Sequence, residues 1–286
     1  MLSFESLQNC RYTVIGDPIG HTRSPALQNA AFEALDMGRP YGMLHVRPDE
    51  LPQFADWAAR HLDGFNLTLP HKTAILPMLA TVEPAAAAAR SVNTVCCRDG
   101  RLHGFSTDGW GLEMALRESF DLPLAGARIL FLGCGGAVRA TAFHLAASGA
   151  AAIRLLNRTV SKAGELAADL RRFAPGLTVD CVAADDLPLA AAFWRDSTVI
   201  IQATSAELQG MAAPAMELLP ECPAIPCFDM VYPHSEFVRQ AQNHGHPAAT
   251  GASMLLYQGA KSFEIWTGRP APVETMRIAL QASLTC

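Results

Sequence analysis

The chain has 286 residues, room for two domains of ordinary size. Half of it is hydrophobic and 17% is charged, enough apolar surface to bury cores and too much for a disordered chain. A formal net charge of -5 excludes a general nucleic-acid binder, which needs a basic face to displace counterions. No apolar run approaches the roughly 20 residues that span a bilayer.

The opening segment MLSFESLQNC carries Glu5 and no basic stretch ahead of a long apolar core, so it does not read as a signal peptide. Residues 12–16 (YTVIG) read as a strand ending in the turn GDPIGH. Ser24-Pro25 then opens a helix, with Ser24 as N-cap and Pro25 in the first helical position, where a missing N–H is harmless. A second strand is expected over 41–46, a second helix over 51–59, and a third strand over 64–69, stopped by Pro70. Segments 92–98 and 101–105 flank Asp99-Gly100, a strong hairpin signal. The alanine run 85–89 reads as a closely packing helix face.

From Gly109 the pattern changes. Residues 110–120 are helical and 122–126 form a hinge. A regular series follows, with strands at 128–132, 153–157, 177–182, 197–203 and 224–230 and helices at 135–147 and 161–173. Alternation at this spacing implies a parallel sheet covered on both faces. The amphipathic stretch 254–267 is helical and is expected to return to brace the first domain. The fold expected is therefore α/β throughout. Residues 1–109, joined by 254–286, form an N-terminal substrate domain, and residues 110–253 form a Rossmann-like domain.

The eight cysteines show no CxxC pair or metal-finger spacing and read as reduced thiols of a cytoplasmic protein. His234, His244 and His246 match no zinc pattern and are expected on a surface loop.

Strand 128–132 runs into Gly133-Cys134-Gly135-Gly136-Ala137-Val138-Arg139. Gly133 permits a tight turn, Gly135 lets the backbone approach a pyrophosphate, and the helix that follows turns free N–H groups toward the anion. The third glycine of the usual fingerprint is absent, because Val138 stands at that spacing; the plainer alternative is an ordinary strand–helix turn. Cys134 reads either as a reactive thiol or as an unremarkable loop residue. NAD sites place Asp or Glu about 20 residues further on, at the end of the next strand. Here that strand ends Asn157-Arg158-Thr159, with Lys162 beyond and no carboxylate. A guanidinium fork suits a 2′-phosphate, so NADP is the expected cofactor.

Four segments of the first domain carry polar groups at strand ends: His21-Thr22-Arg23-Ser24-Pro25, residues 66–72 (NLTLPHK), residues 91–94 (SVNT) and Ser106-Thr107-Asp108-Gly109. Hydroxyls beside a helix N-terminus (Thr22, Ser24) suit a carboxylate. An amide and a hydroxyl (Asn93, Thr68) suit neighbouring alcohols, and Lys72 with Asp108 suits proton transfer at an alcohol or carbonyl. Taken singly, each also reads as a cap, a turn former or a solvated charge.

In order, HTRSP, NLTLPHK, SVNT, STDGWG, GCGGAVR, NRTVSKA, QATS, FDMVY and GASMLLYQGA resemble the motif series of the shikimate dehydrogenase family, which includes quinate-oxidising members. The resemblance implies NADP-linked interconversion of 3-dehydroshikimate and shikimate, in aromatic amino acid biosynthesis, by a monomer or homodimer. It further implies that Thr22 and Ser24 hold the substrate carboxylate and that Lys72 and Asp108 form the catalytic pair at the C3 oxygen. Thr68, Asn93, Tyr232 and Gln258 would contact the ring hydroxyls and carboxylate. Gly133, Gly135, Gly136 and Ala137 would cradle the pyrophosphate, Asn157, Arg158, Thr159 and Lys162 the adenosine phosphate, and Met230 and Gly251 would border the nicotinamide. Three departures stand out. Thr22 replaces a serine and Ser106 an asparagine before Thr107-Asp108. Gln202 replaces an asparagine, and Glu207-Leu208-Gln209 lengthens the path to Gly210-Met211. Quinate oxidation and a catalytically idle NADP-binding regulator are the rival readings; retention of both Lys72 and Asp108 speaks against the second.

Overall fold

The computed structural model describes residues 4–38, 40–207 and 210–285. The first three residues of the opening segment lie outside these, as do Leu208 and Gln209 of the lengthened loop and Cys286. The chain forms two compact units, Met1–Gly111 with Leu256–Cys286, and Leu112–Leu255.

In the first unit, β1 (Tyr12–Gly16), α1 (Ser24–Ala34), β2 (Tyr41–His45), α2 (Leu51–His61) and β3 (Gly64–Leu67) wind a parallel three-stranded core. A short α3 (His71–Ala74), β4 (Thr81–Val82) and α4 (Pro84–Ala89) follow, then the hairpin β5 (Thr94–Arg98) and β6 (Arg101–Phe105). The sheet order is β2-β1-β3-β5-β6-β4, with β5 antiparallel to both its neighbours. Asp99 (φ 52) and Gly100 (φ 70) both take the left-handed conformation that a two-residue hairpin turn demands. One local expectation fails. Arg23, not Ser24, occupies the N-cap of α1 and makes no side-chain capping bond; Ser24 is already helical. Pro25 therefore sits one position deeper, where its missing N–H is still among those the first turn leaves unpaired. Strand β3 also ends two residues earlier than read, because the chain turns toward α3 before Pro70.

The helix α5 (Asp108–Phe120) carries the chain onward. The second unit alternates β7 (Arg128–Leu132), α6 (Gly136–Ala147), β8 (Ala152–Asn157), α7 (Val160–Phe173), β9 (Thr178–Ala183), α8 (Leu187–Arg195) and β10 (Val199–Gln202). It closes with β11 (Cys227–Asp229), α9 (Glu236–Asn243) and β12 (Ala248–Thr250). All six strands are parallel, in the order β12-β11-β10-β7-β8-β9. The chain enters at β7, proceeds outward to β9, and restarts at β10 on the other side. The carboxyl ends of β7 and β10 thus mark the switch point where open α/β sheets take their ligands.

The helices α10 (Ala252–Thr267) and α11 (Val273–Leu284) then pack within the first unit. Trp266 of α10 donates its indole N–H to the carbonyl of Val95 at 2.9 Å. A Cβ on Gly64 would fall 2.3 Å from that indole nitrogen, so only glycine admits the ring there. Gln28 of α1 donates to the carbonyl of Gly259 at 2.9 Å.

The surface-loop expectation fails at one of the three histidines. No group of metal-ligating side chains occurs among the described residues. His246, however, is 3% exposed rather than on the surface. Its Nδ1 accepts from the Ile225 N–H at 3.1 Å and its Nε2 faces the Leu219 carbonyl at 2.9 Å, so distant backbone groups satisfy it. Among the described residues no helix is long and apolar enough to cross a membrane.

Candidate functional site

Within the first unit, a polar cluster assembles where β3, β5 and β6 hand over to helices. Lys72 is the second residue of α3 and Asp108 the first of α5. Lys72 Nζ lies 2.7 Å from Asp108 Oδ2, a charge-assisted contact, and the Asp108 side chain is only 11% exposed. The carboxylate also sits at a helix N-terminus, where the helix dipole favours negative charge.

Asn93 holds the other oxygen. Its Nδ2 donates to Asp108 Oδ1 at 2.8 Å, to the Thr107 hydroxyl at 3.0 Å and to Gln258 Oε1 at 3.3 Å. Its Oδ1 accepts from the Thr107 N–H at 2.9 Å. Asn93 is 2% exposed, and its amide is committed to orienting Asp108. Ser106 takes no part in this support, since its hydroxyl is buried and without a partner among the described residues.

Asn66 extends the network in a direction the sequence did not suggest. Its Nδ2 donates to the Asn93 carbonyl at 3.0 Å and to the hydroxyls of Thr94 and Ser262 at 3.1 Å. The buried Tyr41 hydroxyl donates to Asn66 Oδ1 at 2.7 Å and also meets the Ser24 side chain. Thr22 Oγ1 accepts from the Ser24 N–H at 3.3 Å. Thr68, half-buried, lies beside Gly16, where a Cβ would fall 2.5 Å from its methyl. The structure therefore joins Lys72, Asp108, Asn93 and Gln258 directly and ties Ser24 to them through Tyr41 and Asn66. Tyr41, Asn66 and Ser262 were missed as members; a signal was available only for Asn66, a polar residue between Phe65 and Leu67 inside a strand. Tyr232 belongs to the second unit, two residues beyond Met230.

In the second unit, Gly133 takes φ +103, and a Cβ there would fall 2.6 Å from the Thr204 methyl. Both conditions require glycine. Gly135 is the N-cap of α6, and Gly136 and Ala137 open the helix; no side chain caps it among the described residues. Hypothetical Cβ atoms on Gly135 and Gly136 would meet nothing within 4 Å. Packing does not demand their absence, so the bare backbone is available for an anion to approach. This cradle fits a dinucleotide pyrophosphate.

Beside it lies a cavity of about 360 Å³ whose lining includes Gly133, Asn157, Arg158, Thr204, Ser205 and Met211. Arg158, Thr159 and Lys162 are exposed at the end of β8 and the start of α7. Asn157 Nδ2 donates to the Thr159 carbonyl at 2.9 Å, which shapes that turn. Burial pushes the Cys134 thiol up from its ordinary value, which disfavours the thiolate that a reactive cysteine needs. Gln202, fully buried, accepts from the Thr204 N–H at 2.8 Å and so ties the strand end to the turn that follows. Gly251 is pinned against Met230, whose carbonyl oxygen would lie 2.4 Å from a Cβ.

The chain is similar in sequence and in fold to known proteins. A family model described as the shikimate dehydrogenase substrate binding domain matches residues 14–95. One described as shikimate / quinate 5-dehydrogenase matches residues 114–234, and a shikimate 5'-dehydrogenase C-terminal domain matches 251–281. The chain is 37% identical over 278 residues to the NADP(+) shikimate dehydrogenase of Symbiobacterium thermophilum, covering 95% of this chain and 93% of that one. Shikimate 5-dehydrogenase of Thermus thermophilus, solved with NADP(H) and shikimate, superposes with a TM-score of 0.83 at 34% identity, covering 96% and 100% of the two chains. The Listeria monocytogenes enzyme, solved with shikimate and NAD, gives 0.87 at 27% identity, covering 98% and 99%.

Proposed function

Because the chain belongs to the shikimate dehydrogenase family, we propose that it is an NADP-dependent shikimate dehydrogenase. It interconverts shikimate and 3-dehydroshikimate in aromatic amino acid biosynthesis. The observation that carries the chemistry is the Lys72–Asp108 pair at 2.7 Å, oriented by Asn93. NADP, when bound, accepts or gives hydride at C4 of its nicotinamide ring. As the C3 alcohol becomes a ketone it must shed its hydroxyl proton, and in reverse the ketone oxygen must gain one. Lys72 Nζ and Asp108 Oδ2 handle that proton at the C3 oxygen, within hydrogen-bond reach of each other.

Thr22 and Ser24, at the start of α1, hold the substrate carboxylate. Thr68, Gln258 and Tyr232 serve the ring hydroxyls, and Asn93 acts chiefly by fixing Asp108. Gly133, Gly135, Gly136 and Ala137 receive the pyrophosphate, and Asn157, Arg158, Thr159 and Lys162 the 2′-phosphate end. Met230 and Gly251 border the nicotinamide.

The test is the absorbance of reduced nicotinamide on mixing the purified protein with shikimate or quinate, each with NADP or NAD. Rapid reduction with shikimate and NADP is expected. Preferential turnover of quinate would shift the substrate, and no turnover by protein that still binds NADPH would favour the idle regulator.

A further inference from the structure

The lengthened segment after β10 carries a carboxylate that reaches the N-terminus of α9, the helix that follows β11. Glu207 accepts from the first backbone N–H groups of α9: Oε2 from Glu236 at 2.9 Å and Oε1 from Phe237 at 2.7 Å. At its near end the same segment is fixed by Gln202, whose Oε1 accepts from the Thr204 N–H at 2.8 Å and hydroxyl at 3.0 Å. Between these two anchors lie Thr204, Ser205 and Ala206, which line the cavity beside Gly133 and Arg158.

The same end of α9 is held a second time. Ser235 Oγ accepts from the Val238 N–H at 3.0 Å and donates to Asp229 Oδ2 at 2.6 Å. Asp229 Oδ1 accepts from the Val231 N–H at 2.9 Å. Asp229 and Val231 bracket Met230, so one helix terminus connects the cavity wall with the strand end that carries Met230.

We propose that Glu207 is a positioning residue for the dinucleotide: by capping α9 it fastens the cavity wall at 204–206 to the Met230 strand end without touching the cofactor. The inference rests on the cofactor reading above. A carboxylate accepting two N–H groups at a helix N-terminus makes charge-assisted bonds in a favourable dipole field. Without it the wall loses its tie to α9, and binding must order more of the segment, an entropy loss that appears as weaker affinity. Because Glu207 does not read the 2′-phosphate, the loss falls equally on NADPH and NADH.

The experiment is fluorescence titration of NADPH and NADH, without substrate, into the wild type, Glu207→Ala, Glu207→Gln and Ser197→Ala, with thermal unfolding of each. Ser197 donates to the Phe193 carbonyl at 2.7 Å at the end of α8 and serves as a stability control. Glu207→Ala is expected to raise Kd about 5–20-fold, by the same factor for both dinucleotides. Glu207→Gln, which keeps one carbonyl acceptor, should fall between it and the wild type, and it carries the test should the alanine variant not fold. Ser197→Ala should lower Tm and leave both Kd values unchanged. Wild-type affinity in both Glu207 variants would overturn the proposal, as would an equal Kd loss in Ser197→Ala. A wild type that binds neither dinucleotide would instead overturn the cofactor reading beneath it.

Discussion

Arg158 is exposed, borders the cavity beside the glycine turn, and stands where an NAD-selective chain would place a carboxylate. Its guanidinium is suited to a phosphate dianion and has nothing comparable to bind on a ribose hydroxyl. Arg158→Ala is therefore expected to weaken NADP by about 1.5–3 kcal/mol and leave NAD nearly unchanged, as titration of both would reveal. Equal losses would mean that Arg158 does not read the phosphate. This pattern separates it from Glu207, whose removal weakens both. At this scale the sequence was informative for residues whose chemistry is unusual in their setting, such as Lys72 and Asp108. It gave no role to Asn66 and Tyr41, whose side chains meet each other across 25 positions and, at Asn66, reach Asn93 and Ser262. Asn66 looks like a turn former until β5 and α10 arrive beside it.

The helix α10 shows the same limit among elements. Its amphipathic pattern was legible; its return to the first domain was inferred from length and not from pattern, and what its inner face does was not legible. Gln258, Ser262 and Trp266 recur at four-residue spacing, one stripe on one helix face. Gln258 meets Asn93, the Ser262 hydroxyl meets Thr94 Oγ1 at 2.7 Å, and the Trp266 indole meets the Val95 carbonyl. A polar–aromatic stripe of this kind does not register as hydrophobic periodicity. The four-residue α3, which carries Lys72, is too short to have any period at all. Trp266 is 8% exposed and fills the space that Gly64 leaves open. Trp266→Ala is expected to cost about 3–5 kcal/mol of stability in urea unfolding, with lost indole packing the larger part. A loss below about 1 kcal/mol would mean that α10 is not braced through this ring.

Across the whole molecule, the strand–helix alternation sufficed to read an all-parallel second sheet, because each βα step has few alternatives. The mixed first sheet was harder, since the pairing of β4 with β6 rests on two residues with no pattern of their own. The stability of the chain should also carry a pH signature from the second unit. Burial pushes the Asp229 carboxyl up to about 6 from the ordinary 3.8, against the Ser235 hydroxyl and Val231 N–H, which favour its charged form. The folded chain thus binds more proton than the unfolded chain between those values. The stability this group contributes is fully present below about pH 4 and is lost as pH rises through about 6, a change of about 2–3 kcal/mol. Asp169 and Asp196, held low by hydrogen bonds from Arg139 and Arg154, act oppositely and in a more acidic window. Asp229→Asn should remove the decline between about pH 4 and 6 in urea midpoints, and an unchanged slope would contradict the assignment.

The central claim is that Lys72 handles the proton at the reacting carbon's oxygen, and steady-state kinetics of Lys72→Ala with shikimate and NADP test it most directly. A fall in kcat of about 10²–10⁴-fold with little change in KM is the result this account requires. An unchanged kcat would contradict it, and the Lys72–Asp108 pair would then be a structural ion pair.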